Sequence, residues 1–373
     1  MAFEIKKLGK LLDMGSDALH GTNVVGIDIG TSSIKVVSLT EGKTGAALET
    51  YGEMQLGPYA GLDIGRATNL EPGPLGGALV DILKEANVTA SQGALAIPHS
   101  ASFVAITNFP ATDPEQLASM VPLEARKRIP MAMNEVTLDW FVIPDRRPVL
   151  VEEGVPAPKS GTPVLLAAIY NEALKRYRTV VQRAGLAIAV NEIESFSVIR
   201  SSVHEDETTV MVLDLGATST KMYVIQDGIL HETHRMPIGG HDLTTAIVGG
   251  LQITDGEAEE VKRQFGFVTG VYDPRITAAL ATPVERIVHE VQRVRERYEK
   301  GGSEKITKVV LAGGGAMLKG FREALENALA IPVVLSNPFS KVEYPAFLEA
   351  TLKEIGPSFA VALGVALRRL AEK

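Results

Sequence analysis

The sequence predicts an α/β fold of two related halves around a cleft, the first half carrying an inserted subdomain. Three observations predict it. The chain has 373 residues, more than the roughly 150 of one ordinary domain. The segment 24–39, VVGIDIGTSSIKVVSL, returns at 210–225 as VMVLDLGATSTKMYVI, so that Asp28, Gly30, Ser33 and Lys35 match Asp214, Gly216, Ser219 and Lys221 at identical spacing. Around these copies, β-branched runs alternate with stretches whose apolar residues recur near every 3.6 positions.

Composition removes several function classes. With Lys+Arg 37 against Asp+Glu 45, the net charge of −8 argues against binding nucleic acid by neutralising its phosphates. The absence of cysteine excludes disulfides, thiolate metal sites and a cysteine nucleophile, and the seven histidines show no metal-ligand spacing. Charges at Glu4, Lys6, Lys7 and Lys10 break the apolar run that a secretory signal needs, and no window approaches 18 uncharged apolar residues. A cytoplasmic chain without a transmembrane span is therefore expected.

In chain order, residues 1–23 form an N-terminal segment in which Phe3, Ile5, Leu8, Leu11 and Leu12 make the apolar stripe of a short helix, suited to docking on the protein or to a membrane surface. The first half spans 24–206. Its opening copy of the repeat reads as strand, tight glycine-containing turn and strand, because aliphatic runs flank a break too short for a helix. Residues 61–77 are a long loop leading to a helix at 77–86. An insert is expected near 88–165, with a helix at 113–128 whose Pro114 suits a first helical turn. Within the insert, Phe103, Ile106 and Phe109 read as core residues or as lining of a groove. Residues 145–163 are proline-rich and charged, an exposed connection. A helix at 171–184 ends before Gly185.

The second half spans 207–348. It opens with the second hairpin, continues to a helix at 283–300 whose Arg/Glu alternation suits a solvated face, and reaches a strand feeding Gly313, Gly314 and Gly315 before a helix at 321–330. The tail 349–373 is apolar enough to return to the first half.

The chemistry sits at the hairpin tips. Glycine lets the main chain approach a ligand closely, and successive N–H groups in such a turn form an anion-binding nest. An aspartate ending the first strand can hold hydrated Mg²⁺, which prefers oxygen ligands and keeps its waters. A single D-x-G-x-x-S reads as an ordinary turn; two copies facing each other across a cleft point to a nucleotide. The Gly313–Gly315 cluster lets backbone pack against a flat ring, or simply turns a strand into a helix, and it lacks both the Rossmann and the P-loop order.

These residues resemble the actin, Hsp70 and hexokinase superfamily, with two phosphate hairpins and a glycine-rich adenosine segment in its order. The segments ALAIPHSASFVAITNFP, EQLASMVPLEARKRIPMAMNEVTLDWFVI, GLAIAVNEIESFSVIRS, RMPIGGHDLTTAI and LSNPFSKVEY narrow the resemblance to the PilM family of type IV pilus assembly, in the branch that includes FtsA. The resemblance implies an actin-like ATPase fold with RNase H-like cores, and ATP and Mg²⁺ as ligands. It implies that Asp28 holds the metal through water, that Gly30, Thr31, Ser32 and Ser33 wrap the phosphates with Lys35 nearby, and that Gly216, Ala217, Thr218 and Ser219 do the same from the second half. Ala217 stands where the superfamily usually has a hydroxyl. Glu194 becomes the candidate water-positioning carboxylate and Asp214 lies near the metal or the water. Glu259 and Lys262, on one helical face, would contact ribose and adenine, with Gly314, Gly315 and Met317 across the base; a plain surface ion pair is the other reading of Glu259 and Lys262.

The resemblance further implies a slow ATPase at most, acting as a scaffold at the inner membrane that binds the cytoplasmic N-terminal tail of a PilN-like protein, with other platform proteins as further partners and self-association left open. An FtsA-like filament protein and a small-molecule kinase of the superfamily are the alternatives. The tail suits packing rather than a membrane helix, and no sugar-kinase segment is recognisable.

Overall fold

Two five-stranded sheets with one shared strand order frame the molecule. The computed structural model describes residues 23–371 apart from 44, 111–112, 144–160, 205, 271–272 and 301–303, so the expected N-terminal helix and most of the connection 145–163 lie outside the described residues. In the first half, β1 (Asn23–Ile29), β2 (Ser33–Glu41) and β3 (Ala46–Gln55) form an antiparallel meander; α1 (Pro72–Glu85) then leads to β4 (Gln92–Ile97), parallel to β1. Next come β5 (Ser102–Phe109), α2 (Pro114–Arg128), β6 (Val136–Val142), β7 (Thr162–Tyr170) and α3 (Asn171–Arg183), before β8 (Ala187–Ile193) pairs parallel with β4 and α4 (Glu194–Ser202) connects the halves.

The second half repeats the plan. β9 (Thr209–Leu215), β10 (Thr220–Gln226) and β11 (Ile229–Met236) form the meander, followed by α5 (Gly240–Leu251), α6 (Asp255–Phe265), α7 (Pro274–Lys300), β12 (Lys308–Ala312), α8 (Phe321–Leu329), β13 (Val333–Leu335) and the terminal α9 (Glu349–Ala371). The sheet orders are β3-β2-β1-β4-β8 and β11-β10-β9-β12-β13. The duplicated sequence is thus a duplicated topology. β4 and β9 are buried along their whole length, as strands covered on both faces must be, which is why they read as largely aliphatic runs without a polar alternation.

The insert has its own antiparallel sheet, β5-β7-β6. Along β7, Val164, Leu166 and Ala168 pack under α2 with Phe109, Leu117 and Val121, whereas Leu165, Ala167 and Ile169 face the first-half core. The period of two divides one strand between two cores. Phe109 is buried and Phe103 packs on the insert core, while Ile106 packs on the first-half core.

Element bounds differ from expectation in three places. Parallel pairing with β1 assigns 92–97 to the first-half sheet, so the inserted strands start at Ser102 and run to Tyr170 rather than filling 88–165. α1 starts at Pro72, a proline in the first turn, ahead of 77. α7 starts at Pro274 rather than 283, because its buried stripe Ile276, Leu280, Val284, Ile287, Val291, Val294 and Tyr298 keeps helical spacing through Pro283.

α9 returns to the first half, packing on α4, β1, β2 and β4. Two glycines allow the approach. A Cβ at Gly364 would lie 1.9 Å from Ser197 O, and one at Gly26 would lie 2.0 Å from Ala362 O. The stretch Ala346–Leu370 is, by length and composition alone, long and apolar enough to cross a membrane, and 61% of its most apolar window is buried inside the protein.

Candidate nucleotide site

Both duplicated turns are closed by the same bond: Gly30 N–H donates to Ser33 O and Gly216 N–H to Ser219 O, each at 3.0 Å. Their tips meet across the cleft, with Thr31 Oγ1 and Thr218 Oγ1 3.4 Å apart. One cavity of about 740 Å³, within the size range of small-molecule sites, is lined by both turns. It takes Asp28, Gly30, Thr31, Ser32, Ser33 and Lys35 from the first half, and Asp214, Gly216, Ala217, Thr218 and Ser219 from the second. Glu194, from the first turn of α4, and Glu259, Lys262, Gly314, Gly315 and Met317 complete it. Every residue expected at the nucleotide site from the sequence therefore lines the same space.

The electrostatics divide that space in two. At the turn end lie three carboxylates. Burial pushes Asp28 up to about 6, against the pull of Lys35 and with added repulsion from Glu194. Glu194 Oε1 accepts the His99 backbone N–H at 2.6 Å. Lys221 Nζ lies 3.0 Å from Glu194 Oε2 and 3.0 Å from Asp214 Oδ2. Burial opposes the charge of Lys221, but the two carboxylates outweigh it and hold the ammonium well above its usual range. Among the described residues no group of three histidines or carboxylates converges on one point as a bare-metal cage. What the lining offers a hydrated Mg²⁺ is the Asp28 carboxylate beside turn hydroxyls, a hard-oxygen set that fits this ion.

At the other end, Glu259 and Lys262 are not a surface pair. Lys262 Nζ bonds Glu259 Oε2 at 2.6 Å, Thr244 Oγ1 at 2.8 Å and the Gly240 carbonyl at 3.0 Å, while Arg263 Nε bonds Glu259 Oε1 at 2.8 Å. Burial raises the Glu259 carboxyl, but Lys262 and Arg263 bring it below the usual range overall. The glycine segment lines the same cavity. Gly313 has φ +81°, and a Cβ there would lie 2.4 Å from Asp214 Oδ1, so glycine is required for the loop to pass this close to the second hairpin. Gly314 meets open space, leaving its backbone bare to the cavity.

Three features escaped the sequence reading. Lys221 was matched to Lys35 but given no task; its position opposite Asp214 in the hairpin was the available signal. Arg263 stands one residue beyond Lys262. The segment between β3 and α1 is a strap: Leu56 N–H donates to Ser32 O and Thr68 N–H to Thr31 O, both at 2.8 Å, while Arg66 pairs with Asp255 of α6 and Gly65 lies against Glu259. It joins the first duplicated turn to the second half across the cleft mouth, and nothing local in 61–77 signals that.

The sequence profile described as Type IV pilus assembly protein PilM matches residues 26–370. FtsA, the cell division protein of Agrobacterium fabrum, is 25% identical over 230 residues, covering 55% of this chain and 51% of its own length, so the chain spans about half the length of such curated relatives. Among solved structures, the PilM-PilN type IV pilus biogenesis complex matches with a TM-score of 0.76 at 27% identity, over 93% of this chain and 98% of that chain. The ethanolamine utilization protein EutJ of Carboxydothermus hydrogenoformans shares the fold, with a TM-score of 0.54 at 18% identity over 94% of this chain and 91% of that one. The fold is the actin-like α/β one, and since the profile runs through both halves and the insert, the chain belongs to the PilM family of type IV pilus assembly proteins.

Proposed function

We propose that this chain is a cytoplasmic ATP-binding scaffold of type IV pilus assembly, held at the inner membrane by the N-terminal tail of a PilN-like protein. The observation that carries the nucleotide reading is the meeting of the duplicated turns, Thr31 to Thr218, over one cavity that also takes in Glu259, Lys262 and the Gly314–Gly315 backbone. In this reading, residues 30–33 and 216–219 bind the phosphates through main-chain N–H groups and hydroxyls. Lys35 adds charge, and Glu259, Lys262 and Met317 frame the nucleoside. Mg²⁺, held through water at Asp28, would supply charge neutralisation of the phosphates. Glu194 and Asp214 are the carboxylates that would orient water if ATP were turned over, and their shared bond to Lys221 favours retention over turnover.

Contacts from both halves make a bound nucleotide a clasp, because it binds the closed arrangement better than an open one. The likeness to the PilM-PilN complex supports the partner. β6 is outermost in the insert sheet, so an extended tail has an edge to which it can add a strand. Calorimetric titration with Mg-ATP, followed by titration of peptides copied from PilN-like tails with and without nucleotide, tests the reading. Saturable heat in both steps is expected; no heat with Mg-ATP removes the nucleotide, and no heat with the peptides removes the partner. Sedimentation in the same buffers reads self-association.

A further inference from the structure

Lys35 and Lys221 hold the same place in the two copies, each directly opposite its aspartate in the hairpin register. They bond differently. Lys35 Nζ turns to Ser33 Oγ at 2.7 Å and Glu53 at 3.2 Å, and the Asp28 carboxylate receives no hydrogen bond from any described residue. Lys221 Nζ instead bridges Asp214 and Glu194, whose side chains are only 6% and 9% exposed. The third strand of each sheet accounts for the difference. Register sets Glu53 of β3 beside Lys35 but Arg235 of β11 beside Lys221. An opposite charge draws Lys35 away from its aspartate, whereas a like charge across the ladder is unfavourable and leaves Lys221 to the carboxylates.

We propose that Lys221 is a built-in cation of the site: it saturates Glu194 and Asp214, so that of the three carboxylates at the turn end Asp28 alone is left to recruit a divalent ion. This rests on the nucleotide reading above. Two carboxylates buried this deeply need a positive partner, which either a divalent ion or an ammonium can supply. This chain supplies the ammonium covalently, so nucleotide binding should draw only weakly on added cation.

The test is calorimetric titration of the full chain with ADP, once with excess Mg²⁺ and once with EDTA. For the wild type, the Kd in EDTA is expected to exceed that in Mg²⁺ by less than about threefold. In Lys221→Met, Glu194 and Asp214 are released to the divalent ion, and the ratio is expected to rise by about tenfold or more. Lys221→Arg keeps the charge and should bring the ratio back towards wild type, which a merely structural role would not do. Should Lys221→Met fail to fold, the charge-balanced Lys221→Gln/Glu194→Gln pair carries the same expectation through the freed Asp214. A wild-type ratio of about tenfold, or one ratio shared by wild type and variants, overturns the proposal while leaving nucleotide binding intact. No heat with ADP in either buffer overturns the nucleotide reading itself, and this proposal with it.

Discussion

Asp28→Asn is expected to stabilise the nucleotide-free protein, and the gain should depend on pH in a way that isolates its cause. Burial lifts the carboxyl from 3.8 to about 6, a shift of about two units at 1.36 kcal/mol each, so the ionised group costs the fold up to about 3 kcal/mol. The sign follows from proton uptake. Between the unfolded and folded values the native state binds more protons than the unfolded one, so stability falls as pH rises from about 4 to about 6 and the penalty is complete above that window. Asparagine carries no such penalty. The variant should therefore exceed the wild type by up to about 3 kcal/mol at about pH 7.5 and by only about 1 kcal/mol at about pH 4.5. Urea unfolding of both proteins at the two pH values measures this, since other carboxyls contribute nearly equally to both and cancel. Equal stability near pH 7.5, or a gap that ignores pH, would refute the claim that burial sets the state of Asp28. Mg-nucleotide should raise the melting temperature of the wild type more than that of Asp28→Asn, because the carboxylate lost is the one free to receive a hydrated cation.

Three further outcomes test the frame around the site. Arg66→Ala removes the tie from the strap to Asp255; exposed pairs of this kind contribute about 0.5 kcal/mol, so stability should barely move while release of a fluorescent nucleotide, followed by stopped flow, quickens by about twofold. Glu192 bonds Arg200 at 2.6 and 2.7 Å, Arg368 at 3.3 Å and Ser197 at 2.7 Å inside the first half. Burial raises its carboxyl, but the guanidiniums prevail and hold it below the usual range, so its contribution should be lost only as pH falls through that depressed value. Glu192→Ala removes the carboxylate that balances the charge of part-buried Arg200 and buried Arg368 and should cost about 3 kcal/mol in urea unfolding. Gly364→Ala drives a methyl into the Ser197 carbonyl, 1.9 Å from an ideal Cβ, and should destabilise by about 3 kcal/mol or more, read as a lowered melting temperature.

What the sequence made legible, and what it hid, follows from how far apart the interacting residues lie. Each hairpin fits within sixteen residues, so its turn, its buried strands and the placing of Asp28 opposite Lys35 could be read locally. The meeting of Thr31 with Thr218, 187 positions apart, was accessible only because the pattern occurs twice and two equal sheets can face each other. The pair of Arg66 with Asp255 spans 189 positions and repeats nowhere, so no periodicity announces it. The insert boundary was misplaced for a similar reason: QGALAI is a short apolar run until its parallel partner in β1 is known. Lys221 is the most instructive omission. Its two hairpin strands match the first copy residue for residue at the positions that matter, and those strands alone predict that it should behave like Lys35. The third strands no longer resemble each other in charge, although both pair with a register shift at the same place, between Ser38 and Leu39 in one copy and between Val224 and Ile225 in the other. Glu53 and Arg235 stand at corresponding ladder positions with opposite charge, and that single contrast is enough to leave one aspartate open and the other closed. The duplicated halves have therefore diverged in chemistry at a strand that makes none of the turn itself, where similarity between the copies could not reveal it.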